Sequence, residues 1–211
     1  MEAMEQFVIH HVDCRRGQRL RVLDVGSMNV NGTYRTYFDD PLWEYTGLDL
    51  APGPGVDRVL SSPYSWNGIP SDFYDIVITG QAFEHIEFPW ITILQVNRVL
   101  VEGGLLCLIV PSGGVEHRYP MDCWRFYPDG IKALARWGDL EPVTATTAWL
   151  GGKTYPDASE LWADTVLVAR KPKIANTPRR WLVNMKRAGL IRMLSGQGAR
   201  RHGLKHLDSA G

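Results

Sequence analysis

Two carboxylates stand where apolar runs give way to turn-forming residues. Asp24 and Gly26 lie in "VLDVGSMNVNGTY", Val22 to Tyr34, and Asp49 closes "YTGLDL", 25 residues after Asp24. Gly26 lets a ligand approach the backbone closely. Asn29 and Asn31 tolerate the left-handed region, and Gly32 supplies it without steric cost. A helix starting near Thr33 and Tyr34 would turn free N–H groups toward an anionic group, carboxylate or phosphate. An acid at Asp49 can accept both hydrogen bonds of a ribose diol. Ser27 and Met28 break the dinucleotide spacing G-x-G-x-x-G. Acid, glycine loop, helix and second acid, in that order, point to a nucleoside cofactor of another kind.

Two histidines could move protons. His85 lies in "AFEHIEF" and His117 in "GGVEHRYPMDCWRF". An imidazole titrates near pH 6.5, which suits proton acceptance at neutrality. A hydroxyl is a poor nucleophile and needs such a base. Asp122 is available to orient the histidine. Glu116, His117, Arg118, Tyr119, Asp122, Trp124, Arg125 and Tyr127 crowd into 12 residues. Aromatic faces beside carboxylate and guanidinium groups suit a sugar, whose C–H faces stack while its hydroxyls hydrogen-bond. The plain alternative is a surface loop locked by its own ion pairs. The eight tryptophans, including Trp66, Trp90, Trp124 and Trp149, are mostly core or interface residues on this reading, so their number decides little. Glu84, Glu116 and Asp122 could offer oxygen ligands to Mg2+, but no fixed spacing marks them.

These groups need elements to hold them. "RLRVLDVG" (19–26), "WEYTGLDLA" (43–51), "DRVLS" (57–61), "YDIVITGQ" (74–81) and "LLCLIVP" (105–111) read as five strands. "GTYRTYFDD" (32–40) reads as a short helix. "PWITILQVNRVLVEGG" (89–104) has Ile93, Val96, Val99 and Leu100 at helical spacing, with Gly103 and Gly104 as its stop. "PDGIKALARWGDL" (128–140) is a helix with Pro128 near its start and Gly138 at its end. "PVTATTAWL" (142–150) and "LWADTVLVARKP" (161–172) are closing strands. Contiguous apolar strands separated by helices predict an α/β fold, a parallel sheet covered on both faces. Ligands bind beyond the C-terminal ends of such strands. Both histidine segments follow strands at that end.

The 211 residues suit one domain with an appendage, and 45% hydrophobic content permits a large core. The 23 basic and 23 acidic residues cancel, but unevenly. Residues 171–211 hold ten Lys or Arg and one acid, Asp208, leaving 13 basic and 22 acidic residues in the body. Such a tail is solvated, folded onto the acidic body, or turned to an anionic partner or membrane surface. An acidic body without a recognition motif argues against nucleic acid. Trp181, Leu182, Met185, Leu190 and Ile191 could line one face of a basic helix, with poor order from Ser195 onward. No run reaches the ~18 apolar residues of a membrane span, and the N-terminus lacks the pattern of a secretory signal. Cys14, Cys107 and Cys123 have no metal-ligand spacing and read as reduced thiols of a cytoplasmic protein.

"VLDVGSMNVNG", "YTGLDLAPGPGVD", "FYDIVITGQAFEHI", "RVLVEGGLLCLIVP" and "RFYPDGIKALARWGDLEPV" follow the order of the class I S-adenosylmethionine-dependent methyltransferases. The chain resembles that family over about residues 20–171. The resemblance implies a Rossmann-like sheet of seven strands, "LWADTVLVARKP" being the last and antiparallel. It implies a methyltransferase domain of residues 1–172 and a basic C-terminal extension of residues 173–211. Asp24, Gly26 and Ser27 would then lie against the methionine part of S-adenosylmethionine, and Asp49 on its ribose. Leu50 would pack on the adenine, Ser62 would stand near its amino group, and Gly80 and Gln81 would face the amino acid end. Ser27 departs from the usual small second glycine position. Ser61 and Ser62 replace a frequent Gly-Asp pair. "HRYPMDCWRFYPDG" also resembles methyltransferases of glycan biosynthesis. The implied activity is O-methylation of a sugar or oligosaccharide, with His117 or His85 as base. The alternatives are a quinone, phenol or lipid headgroup acceptor, or a methyltransferase-like domain that binds without chemistry. A homodimer stays open.

Overall fold

The computed structural model describes residues 1–118, 120–148 and 159–173, and 181–182, 184–185 and 188–193 of the extension. Seven strands form one sheet: β1 Leu20–Val25, β2 Trp43–Asp49, β3 Arg58–Val59, β4 Tyr74–Gly80, β5 Leu100–Val110, β6 Glu141–Thr147 and β7 Thr165–Arg170. Their spatial order is β3-β2-β1-β4-β5-β7-β6. β1 to β5 pair in parallel, and β7 runs antiparallel between β5 and β6. The chain order reverses between β1 and β4, which opens a crevice at their C-terminal ends.

Both faces of the central strands are buried, and each has its own core. Leu23, Val77, Leu106, Leu108 and Leu167 meet helices α2 (Pro89–Val99) and α3 (Pro128–Trp137) through Ile93, Val96 and Ile131. Val22, Ile76, Ile78, Cys107 and Ile109 point the other way, onto Met4, Phe7, Val8 and Val12. These last four belong to α1 (Glu2–Phe7) and the π-helical turn Val8–Val12 that continues it. Alternation along "LLCLIV" thus feeds two apolar layers, so no polar face interrupts the run.

The structure corrects two predicted helices. The helix expected over 89–104 stops at Val99, and Leu100 already has extended backbone. The amides of Asp72 and Phe73 reach the carbonyls of Arg98 and Val99, ending the helix from outside. Gly103 and Gly104 instead lie in β5, where its register to β4 shifts between Tyr74 and Ile76. Gly103 has φ +80°, which suits glycine. The helix expected over 32–40 is a single 3-10 turn, Tyr34–Tyr37, capped by the Thr33 hydroxyl. The third strand shrinks to Arg58–Val59, and the closing pair to Glu141–Thr147 and Thr165–Arg170.

Lys171 pins the base of this frame. Its ammonium is buried and donates to the carbonyls of Asn97 (2.8 Å) and Leu100 (2.6 Å) and to Asp72 Oδ1 (2.6 Å). A cation at a helix C-terminus also meets the negative end of its dipole. Lys171→Ala leaves two buried carbonyls without this donor, and a loss of ~2–4 kcal/mol is expected. Urea unfolding should show a lower midpoint at an unchanged slope.

Among the described residues no helix is long and apolar enough to cross a membrane. The described part of the extension is helical, with Trp181, Leu182 and Met185 exposed. The predicted disorder from Ser195, as well as Tyr119 and Trp149, lies outside the described residues.

Candidate active site

The crevice is walled first by the loop after β1. Gly26 and Ser27 turn back to donate to the Leu48 carbonyl, at 2.8 and 3.2 Å. Gly26 has φ +82°, and a Cβ there would stand 2.6 Å from that of Ala82. No other residue fits without moving the chain after β4. Asp49 fastens the same loop: its Oδ2 accepts from the Met28 amide at 3.0 Å and its Oδ1 from Leu50 at 2.7 Å. Oδ1 also accepts from the Ala51 amide at 3.4 Å, so Oδ2 is the oxygen with a further lone pair for a ligand diol.

Asp24 sits behind this wall, buried, and accepts a 2.5 Å hydrogen bond from the Tyr45 hydroxyl. Burial pushes its carboxyl up to about 7, with the Tyr45 hydrogen bond and the Arg35 charge working against the rise. Leu50 is exposed. The Ser62 hydroxyl accepts from the Tyr64 amide, which closes a local turn. A Cβ on Gly80 would overlap the Tyr34 hydroxyl, so the ring lies directly over the end of β4. Gln81 holds φ +54°, an unfavourable value for a residue with a side chain. Its amide is anchored to the Ile109 carbonyl (2.9 Å) and its side chain to Asp164 (2.8 Å). Burial raises the Asp164 carboxyl above its ordinary range.

The loops after β4 and β5 bring the two predicted histidines together. His85 ends the 3-10 turn Phe83–His85 after β4, and His117 lies in the loop after β5. Their rings meet edge to face at 4.9 Å. The amides of Cys123 and Trp124 reach the Glu84 carbonyl and tie the two loops. His85 Nδ1 lies 2.5 Å from the Met121 carbonyl. Asp122 Oδ2 accepts from the His117 amide at 2.8 Å and lies 3.4 Å from His117 Nδ1. Arg125 grips both oxygens of Asp122, at 2.6 and 2.8 Å, and holds that carboxyl well below the usual carboxylate range. Arg125 also donates to the carbonyls of Val115 and Trp124. It is thus the clamp of the loop.

Glu84 was read from the sequence only as a metal candidate. Its side chain is fully buried, and neither oxygen has a hydrogen-bond partner. Burial pushes its carboxyl up to about 8. The expected oxygen set for Mg2+ is not assembled among the described residues. Glu116 is exposed and pairs with Arg118, while Asp122 is taken by Arg125. The group that does gather is Glu84, His85 and His117.

Trp162 and Asp164, just before β7, complete the site; sequence reasoning did not single them out. Trp162 packs on His117 at 4.5 Å. Beyond Arg125 opens a groove of about 830 Å³, lined largely by Trp90, Trp124, Phe126, Tyr127, Leu134 and Trp137. The Trp124 and Trp137 indoles already donate to the carbonyls of Ile86 and Trp90, so these two offer ring faces instead.

No protein-family profile matches the chain, and no curated protein sequence does. Solved structures do match its shape. One is 1,6-didemethyltoxoflavin-N1-methyltransferase of Burkholderia thailandensis, solved with 1,6-didemethyltoxoflavin and S-adenosylhomocysteine. It is 18% identical, with a TM-score of 0.61 over 82% of this chain and 77% of its own. The fold is that of the class I methyltransferases. The YcgJ protein of Bacillus subtilis aligns at a TM-score of 0.60 and 13% identity, over 82% of this chain and 100% of its own. The cyclase SpnF aligns at 0.58 and 16%, over 81% of each chain. The class I methyltransferase fold therefore carries more than one chemistry, and the site must decide among them.

Proposed function

We propose that the chain is an S-adenosylmethionine-dependent O-methyltransferase acting on a hydroxyl of a sugar or oligosaccharide. The observation that supports this reading is a glycine loop braced by Asp49 after β1, together with two histidines that meet in the loops after β4 and β5, at the same end of the parallel strands. Asp24, Gly26, Ser27, Asp49, Leu50, Ser62, Gly80 and Gln81 form the cofactor side. S-adenosylmethionine supplies an electrophilic methyl group when bound. The chain's own residues then orient the acceptor and remove its proton. His117 takes that proton, with His85 beside it and Asp122 as its positioning residue. Positioning supplies much of the remaining rate. Glu116, Arg118, Tyr119, Trp124 and Tyr127 receive the acceptor, while Arg125 keeps the loop in shape. Support for a sugar comes from the ring faces of Trp124 and Trp137 along the groove.

That aromatic groove also favours a second reading, a planar small-molecule acceptor. The Burkholderia thailandensis enzyme, crystallised with 1,6-didemethyltoxoflavin, supports it. We assign the chemistry to residues 1–172 in the cytoplasm, and to the basic residues 173–211 contact with an acidic or membrane surface near the substrate.

Isothermal titration and a methyl-transfer screen over sugars and phenols test this proposal together. Saturable S-adenosylmethionine binding is expected. Asp49→Ala should weaken it about 30- to 150-fold, the worth of two ribose hydrogen bonds at ~1–1.5 kcal/mol each. Unchanged affinity in that variant would remove the cofactor assignment. Transfer to phenols but to no sugar would select the second reading.

A further inference from the structure

We propose that Glu84, His85 and His117 form a binding site for one divalent transition-metal ion, of the zinc, cobalt, manganese or iron(II) kind. One donor atom from each lies within 4.8 Å of the others. Glu84 Oε1 and His85 Nε2 are 3.6 Å apart. A tetrahedral ion with bonds of ~2.1 Å sets its ligands roughly 3.4 Å apart. Side-chain shifts of about one ångström would close the set to that span.

Three further observations separate this cluster from a chance meeting of polar groups. Glu84 is fully buried with both oxygens unpartnered. A buried carboxylate is costly unless paired or ligating a metal. The tautomer of His85 is also set. The Met121 carbonyl can only accept, so Nδ1 carries the hydrogen and Nε2 keeps its lone pair toward Glu84. A carbonyl or carboxylate behind each imidazole is the usual support of a metal-bound histidine. Met121 plays that part for His85, and Asp122, fixed by Arg125, stands behind His117. Finally, the His117 side chain is 33% exposed, which leaves the ion a way in. Two imidazoles and one carboxylate favour transition metals, whereas magnesium prefers oxygen ligands.

The inference concerns binding and does not depend on the acceptor. With an ion in place, His117 is a ligand. Without one, it takes the proton itself.

The test uses the full chain, stripped with a chelator and titrated with Co2+. A visible absorption change saturating at one equivalent is expected. His85→Ala and His117→Ala should each weaken it by about 100-fold or more, beyond the usual 10- to 100-fold loss of a supporting residue. Glu84→Gln, verified as folded by circular dichroism, should lose the cobalt-induced rise in melting temperature. A variant with His10, His11, His202 and His206 all changed to alanine should bind as the parent does. Two results would overturn the site: no bound cobalt, or binding that survives loss of His85 and His117. Full methyl transfer by stripped protein that binds no cobalt removes the ion and leaves His117 as direct base. Cobalt binding without transfer to any acceptor keeps the ion and removes the enzymatic reading.

Discussion

His117→Ala is expected to lower turnover by about 100-fold or more, the usual worth of a general base, while S-adenosylmethionine affinity stays within about twofold. The separation follows from where the ring stands. Its ring contacts are His85, Trp162 and Asp122, none of which belongs to the glycine loop. The loop proposed to hold the cofactor is fastened to Leu48 and Asp49 and packs on Ala82. Asp122→Asn should cost less, about tenfold, because the ring keeps its packing when the acid behind it is weakened. Single-turnover methyl transfer and calorimetry on the same samples separate the two readouts. Near-normal turnover would take His117 out of the mechanism. In stripped protein, added imidazole should restore part of the rate to His117→Ala if the ring itself accepts the proton.

The centre of the sheet was readable because its strands are covered on both faces. Val22–Val25, Ile76–Ile78 and Leu105–Val110 needed no alternation to be recognised, and their acids and glycines fell at one end. The error at Leu100 has a clear source. "NRVLV" continues the helical spacing, and the amides that end the helix come from Asp72 and Phe73, some 26 residues earlier in the chain. Local spacing carries no trace of such a cap. Met4, Phe7, Val8 and Val12 do show a helical stripe, yet only the sheet face they cover gives it meaning. The meeting of His85 and His117 was legible in outline, since both follow strands at the ligand end. The burial of Glu84 was not, because nothing in "FEH" says which way the carboxylate turns. Trp162 and Asp164 carried no motif. Only the antiparallel entry of β7 brings them to the crevice.

Asp24→Asn should stabilise the cofactor-free protein at pH 8 by up to about 4 kcal/mol relative to its effect at pH 4. The sign follows from the proton count. Unfolded, Asp24 titrates near its ordinary 3.8; folded, burial holds it at about 7. Between these values the native state keeps a proton that the unfolded chain has released. Stability therefore falls as pH rises from about 4 to 7, by ~1.4 kcal/mol per pH unit at most, and is flat above. Asparagine carries no such proton, so the gap between the proteins opens over that window. Tyr45 and Arg35 favour the ionised form, while the Asp49 charge opposes it. A gap that stays constant from pH 4 to 8 in urea titrations would show that Asp24 titrates normally. The same carboxyl makes a demand on the cofactor. A ligand that brings a cationic amino acid end to Asp24 must favour its ionised form. Binding near pH 6 should then release a proton, and the calorimetric enthalpy should change with the ionisation enthalpy of the buffer. Asp24→Asn should abolish that dependence.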